Sequence, residues 1–145
     1  MARVPAEREV VETCVCHKVR MAARAVTRAY DEALRPTGLR STQFSVLVAV
    51  GLDGAISITA LAKFMGMDRT TLTRNLRPLY DEGLVAVGPE GWRRSRNLEI
   101  TSKGRARLKE ALPLWRRAQR TLQAGLGEPR WQSVQRTLTD LIRGT

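Results

Sequence analysis

The chain is poor in the residues that most often carry chemistry. Its 145 residues hold one histidine, two cysteines, three tryptophans, two tyrosines and two phenylalanines. Two cysteines, Cys14 and Cys16, exclude a disulfide framework. One histidine, His17, supplies a metal site within a single chain poorly and leaves no zincin or Ser-His-Asp pattern. Gly-x-Ser-x-Gly and a Gly-rich phosphate loop are both missing, and Gly51-Leu-Asp-Gly54 is too short to cradle a nucleotide. These absences argue against an enzyme, and neither a cofactor nor a metal is expected. So few aromatics also argue against RNA binding by base stacking. No apolar run approaches the roughly 18 residues of a membrane span. The first residues lack the apolar stretch of a secretory signal. A cytoplasmic protein with no membrane association is therefore expected.

Acidic residues are scarce as well. Fourteen Asp and Glu face 25 Lys and Arg, a net charge of +11. The excess is +3 over residues 1–40, +2 over 41–104 and +6 over 105–145. Such a balance points to a polyanionic partner, nucleic acid first. At 43% apolar residues the chain can still bury a core.

Apolar periodicity predicts a helix over 6–34, with Val11, Val15, Val19, Ala22, Val26, Tyr30 and Leu34 on one stripe. Pro36 and Gly38 end it. Ser41 is the expected N-cap of a second helix carrying Phe44, Leu47, Val48 and Val50. Ser57 or Thr59 caps a third, which Gly66 stops. Asp68 caps a fourth over 69–82, closed by Gly83. Strand-like runs at 84–87 and 97–100 flank a basic, turn-rich loop. A long helix starts at Thr101, and after Gly125, Gly127 and Pro129 a last one carries Trp131, Val134, Leu138, Leu141 and Ile142. The fold class is mainly α with a small β-wing: a winged helix-turn-helix flanked by N- and C-terminal dimerisation helices. The divisions are 1–40 for the N-terminal dimerisation helix and connector, 41–104 for the DNA-binding lobe and 105–145 for the C-terminal dimerisation helices. The flanking helices are too apolar on one face to stand alone, and a second copy is the economical partner.

In the fourth helix Leu72, Leu76 and Leu79 share the inward face. Arg69, Thr70, Thr73, Arg74 and Arg77 share the other. Arginine can pair with guanine O6 and N7, and a threonine methyl can touch the thymine methyl. A solvated amphipathic helix has the same pattern. The loop that follows favours DNA, because Arg93, Arg94 and Arg96 cluster where a wing would meet the electronegative minor groove.

Thr59-Ala-Leu-Ala-Lys-Phe-Met-Gly-Met-Asp-Arg-Thr-Thr-Leu-Thr-Arg-Asn-Leu76, then Leu79-Tyr-Asp-Glu-Gly-Leu-Val85 and Ile100-Thr-Ser-Lys-Gly104, resembles the MarR family, the multiple-antibiotic-resistance regulators. The resemblance spans nearly the whole chain. It implies a homodimer on a pseudopalindromic double-stranded operator, commonly a repressor released by a small effector, aromatic or anionic. Many members hold that effector between the dimerisation helices and the DNA-binding lobe. On this chain Met21, Phe44, Leu112 and Trp115 are the candidates for such a pocket, with Arg24, Arg28 or Arg116 to meet a carboxylate. The family's wing often carries Asp-x-Arg. Here the Asp position is Trp92 and the Arg position Arg94, so the arginine lacks its orienting carboxylate. Pro78 also departs from plain helix logic, since it removes a backbone donor near Arg74.

Other family members sense oxidants through cysteine. In an unbroken helix Cys14 and Cys16 point about 200° apart, whereas Cys14 and His17 share a face with Lys18 following. Cys14 is the candidate redox residue. The plainer alternative is that it packs as a small apolar group. A redox-sensing regulator and an architectural DNA-binding protein of low specificity are the competing functions.

Overall fold

Residues 5–88 and 97–144 are described by a computed structural model. The predicted N-terminal helix is two helices, α1 (Ala6–Thr13) and α2 (Val15–Leu34). They part at Cys14, whose ψ of 112° is extended. The hydrogen bonding is largely kept: Cys14 N donates to Val10 O at 2.9 Å, and Lys18 N to Cys14 O at 3.1 Å. The apolar stripe also runs on across the break, which is why periodicity alone does not reveal it.

A 3-10 turn, Arg35–Thr37, closes α2, and Gly38 follows in the left-handed region at φ 72°. Helix α3 (Ser41–Leu52) takes Arg40, not Ser41, as its N-cap. The exposed amides there are met from elsewhere: Asp31 of α2 accepts from Ser41 N at 2.7 Å, and Gln43 accepts from Arg40 N at 2.9 Å. Then come β1 (Ala55–Ser57), α4 (Ile58–Met65), α5 (Arg69–Asp81), β2 (Val85–Val87) and β3 (Asn97–Ile100). The chain ends with α6 (Ser102–Leu126) and α7 (Glu128–Gly144). Both α5 and α6 continue through their internal prolines, Pro78 and Pro113.

The wing sheet has three strands, not two. β3 lies between β1 and β2, antiparallel to both, with Leu98 opposite Ile56 on one side and Val87 on the other. Leu98 and Ile100 turn into the core while their neighbours are half-exposed, the alternation of a one-sided sheet.

The core is mostly leucine. Leu34, Leu47, Leu61, Leu72, Leu79 and Leu84 are all but completely buried, each contributing about 1.5–3 kcal/mol. It is filled from the end of α2, α3, α4, α5, the sheet and the first half of α6. Thr101 caps α6: its hydroxyl accepts from Gly104 N at 3.0 Å and donates to Gly83 O at 2.6 Å. Gly104 lies so close to the preceding chain that a Cβ there would stand 2.1 Å from Leu84 O. Only a hydrogen fits, which explains the glycine three residues after Thr101.

The flanking helices differ sharply from this core. Neither α1 nor α7 buries a residue, and α2 buries only Leu34. Val11, Val15, Val19 and Val26 on one side, and Val134, Leu138 and Ile142 on the other, are exposed apolar groups. No described helix is long and apolar enough to cross a membrane.

Candidate nucleic-acid interface

Helix α4 stops at Gly66, left-handed at φ 62°, with Met67 N bonded back to Ala62 O at 2.9 Å. Two residues later Asp68 opens α5. Its Oδ1 accepts from Thr71 N at 2.8 Å and its Oδ2 from Thr71 Oγ1 at 2.7 Å. These bonds, the backbone one first, hold the Asp68 carboxyl below its ordinary pKa. The cap satisfies one of the first amides of this helix.

Leu72, Leu76 and Leu79 bury the inner face of α5. On the outer face Arg69, Thr70, Thr73, Arg74 and Arg77 are all exposed and line one shallow depression of about 430 Å³. Thr73 Oγ1 donates to Arg69 O at 2.8 Å, which turns its methyl away from that carbonyl. Arg77 approaches Asp81 at 3.9 Å, an exposed and weak pair. Arg69 and Arg74 form no ion pair among the described residues. Two unneutralised guanidinium groups and two hydroxyls on one exposed face are suited to phosphates and base edges. Trp92, Arg93, Arg94 and Arg96 lie outside the described residues.

The four residues proposed for an effector pocket do not all meet. Phe44, Leu112 and Trp115 line an apolar cavity of about 320 Å³ with Ser45, Val48 and Phe64. Phe44 and Trp115 stack with ring centroids 6.2 Å apart. A smaller space of about 120 Å³, which shares Phe44, Ser45 and Trp115, adds Tyr30, Leu34 and Ser41. Tyr30, whose hydroxyl donates to Gln119, has its pKa raised by burial. Met21 is exposed on α2 and belongs to neither space. Among the described residues no arginine lines them: Arg28 borders a separate groove with Asp31, Glu32, Arg35 and Arg40, and Arg24 and Arg116 are exposed. Phe64 could have been anticipated, since it is a large apolar residue outside the Leu61–Ala62 core side of α4. Tyr30 was visible only as a stripe position.

Cys14 is half-buried and Cys16 exposed, both as free thiols. Because the helix breaks at Cys14, the opposed directions expected for i and i+2 in a continuous helix do not apply. Among the described residues no group of three or more His, Cys, Asp or Glu is arranged to hold a metal ion.

The model of one family, the MarR family, matches residues 39–89, which run from the start of α3 past β2. The M. tuberculosis transcriptional regulator MosR, solved in complex with DNA, is 42% identical. The alignment covers 91% of this chain and 96% of that one, with a TM-score of 0.82. The chain belongs to the MarR family. A transcriptional repressor, CouR, bound to p-coumaroyl-CoA, superposes with a TM-score of 0.84 at 25% identity, over 94% of this chain and 96% of that one. YwoH, an uncharacterised HTH-type transcriptional regulator of Bacillus subtilis (strain 168), is 29% identical over 69 residues. That match spans 48% of this chain and 50% of YwoH. The chain thus resembles both a regulator solved on DNA and a repressor solved with a small molecule.

Proposed function

We propose that this chain is a sequence-specific DNA-binding repressor that acts in the cytoplasm as a homodimer on a pseudopalindromic operator. The observation that carries the reading is the outer face of α5: Arg69, Thr70, Thr73, Arg74 and Arg77 together, exposed, over a fully apolar inner face. MosR, solved on DNA, supports it. Residues 41–104 form the DNA-binding lobe in this reading. Residues 1–40 and 105–145 pair two copies through the exposed apolar faces of α1, α2 and α7. Arg93, Arg94 and Arg96 serve the wing. The cavity of Phe44, Leu112 and Trp115 takes a small aromatic effector, and its neutral lining favours an uncharged ring over an anion.

The test is selection of sheared genomic DNA by the purified protein at two salt concentrations. A few strongly enriched palindromes, with half-sites about 34–36 Å apart, are expected. Broad enrichment that collapses with salt would instead mark an architectural protein without sequence choice.

A second reading, redox control through Cys14, is favoured by the helix break at that residue. It predicts that peroxide releases the protein from DNA and that the Cys14→Ser, Cys16→Ser protein resists release. Equal release of both proteins would sink it.

A further inference from the structure

The DNA-binding lobe joins the flanking helices at two places. One is the segment from the Arg35–Thr37 turn through Gly38 into α3; the other is the start of α6 at Thr101. The first contains a left-handed glycine, Gly38. One side chain reaches both. Arg107, in the second turn of α6, donates from one terminal nitrogen to Thr37 O at 3.0 Å and to Glu82 Oε2 at 3.2 Å. Glu82 is the C-cap of α5, the helix proposed to read DNA. Its carbonyl also accepts from Lys103 Nζ at 2.8 Å. A cation at a helix C-terminus is well placed against the carbonyl end of the dipole.

The Thr101 and Lys103 bonds hold α5 to α6 alone. Arg107 ties three parts at once: the end of α5, the start of α6 and the segment leaving α2. Its side chain is only 21% exposed, so the pair with Glu82 is less screened than the surface pairs of this chain. Thr37 itself is buried, with its hydroxyl bonded to Leu34 O at 2.7 Å, so the carbonyl that Arg107 holds belongs to a packed, hydrogen-bonded turn.

We propose that Arg107 is a positioning residue for operator recognition, fixing the angle of α5 to the dimerisation helices and thereby the half-site spacing that the dimer accepts. The proposal rests on the DNA-binding reading above. Arg107 touches no base in it; α5 chooses the half-site sequence, and Arg107 decides how far apart two half-sites stand. Losing it leaves the packing of α3 against α6 in place but removes the side chain that ties the end of α5 to both α6 and the segment leaving α2.

The experiment is selection from random duplexes about 40 base pairs long, enough for two half-sites roughly 10 base pairs apart. Wild type, Arg107→Ala and Glu82→Ala are compared, with thermal melts confirming that each folds. Wild type is expected to recover palindromes of one spacing. Both variants are expected to recover the same half-site sequence over several spacings. Their preference for the best spacing over one shifted by a base pair should fall about tenfold, the scale of one mismatched pair. Arg107→Lys keeps a cation and donors, and should restore part of the preference. A merely structural role would weaken binding at all spacings alike. A wild type with one spacing that the folded variants keep overturns the role of Arg107 and leaves the DNA reading standing. If Arg107→Ala does not fold, an unchanged spacing in Glu82→Ala overturns it in the same way. A wild type that recovers no palindrome overturns the DNA reading and this proposal with it.

Discussion

Arg74 stands in the middle of the exposed face of α5, with no carboxylate paired to it among the described residues. A cation that the protein leaves unneutralised is available to a partner. Arg74→Ala is expected to lower operator affinity by about 1–3 kcal/mol and to relax selectivity at one base pair. Competition binding against operators altered at each position measures both effects. Asp68 behaves differently, because its bonds are within the chain. Its carboxyl titrates lower in the folded state than in the unfolded state, so the cap is at full strength above the ordinary Asp pKa of about 3.9. It is lost as pH falls through the lower, folded value. Asp68→Ala should melt below wild type at neutral pH, and the gap should close in strong acid. Melts at a series of pH values check the sign. Both residues were legible in the sequence for local reasons: an Asp before a helical pattern and an Arg opposite a leucine face are patterns within one or two turns. Arg107 was not, since its partners Thr37 and Glu82 lie 70 and 25 residues away.

At the scale of elements, legibility followed punctuation. Helices α4 and α5 were readable because Ser57, Gly66, Asp68 and Gly83 mark their ends, and each does so in the fold. Strand β1 escaped because three residues, Ala55-Ile56-Ser57, carry no period, and it exists only by pairing with β3 some forty residues on. The break at Cys14 escaped because neither glycine nor proline marks it. Gly104 was legible as a motif position, but its reason is tertiary: the contact with Leu84 O. Gly104→Ala must push α6 off the end of the sheet. It is expected to cost about 1–3 kcal/mol or more, read as a lowered Tm.

At the scale of the molecule, the helices outside the lobe keep much of their apolar surface in water. With α1 and α7 burying nothing and α2 burying one leucine, a second copy completes the structure in the reading proposed here. Leu138, exposed on α7, is then an interface residue. Leu138→Glu is expected to raise the dimer dissociation constant at least about tenfold, given roughly 1.5–3 kcal/mol for a buried leucine. Sedimentation over a dilution series would show it, and the Tm of the wild type should rise with concentration.

The apolar faces lie at both ends of the chain, and the residues proposed to meet DNA lie between them. Pairing and reading are thus separable. A copy that has lost Arg69 and Arg74 but kept its ends would still be accepted as a partner. In a cell making it alongside the normal copy, most dimers would carry at least one blind lobe. The defective allele would then be dominant, silencing the sound copy by pairing with it.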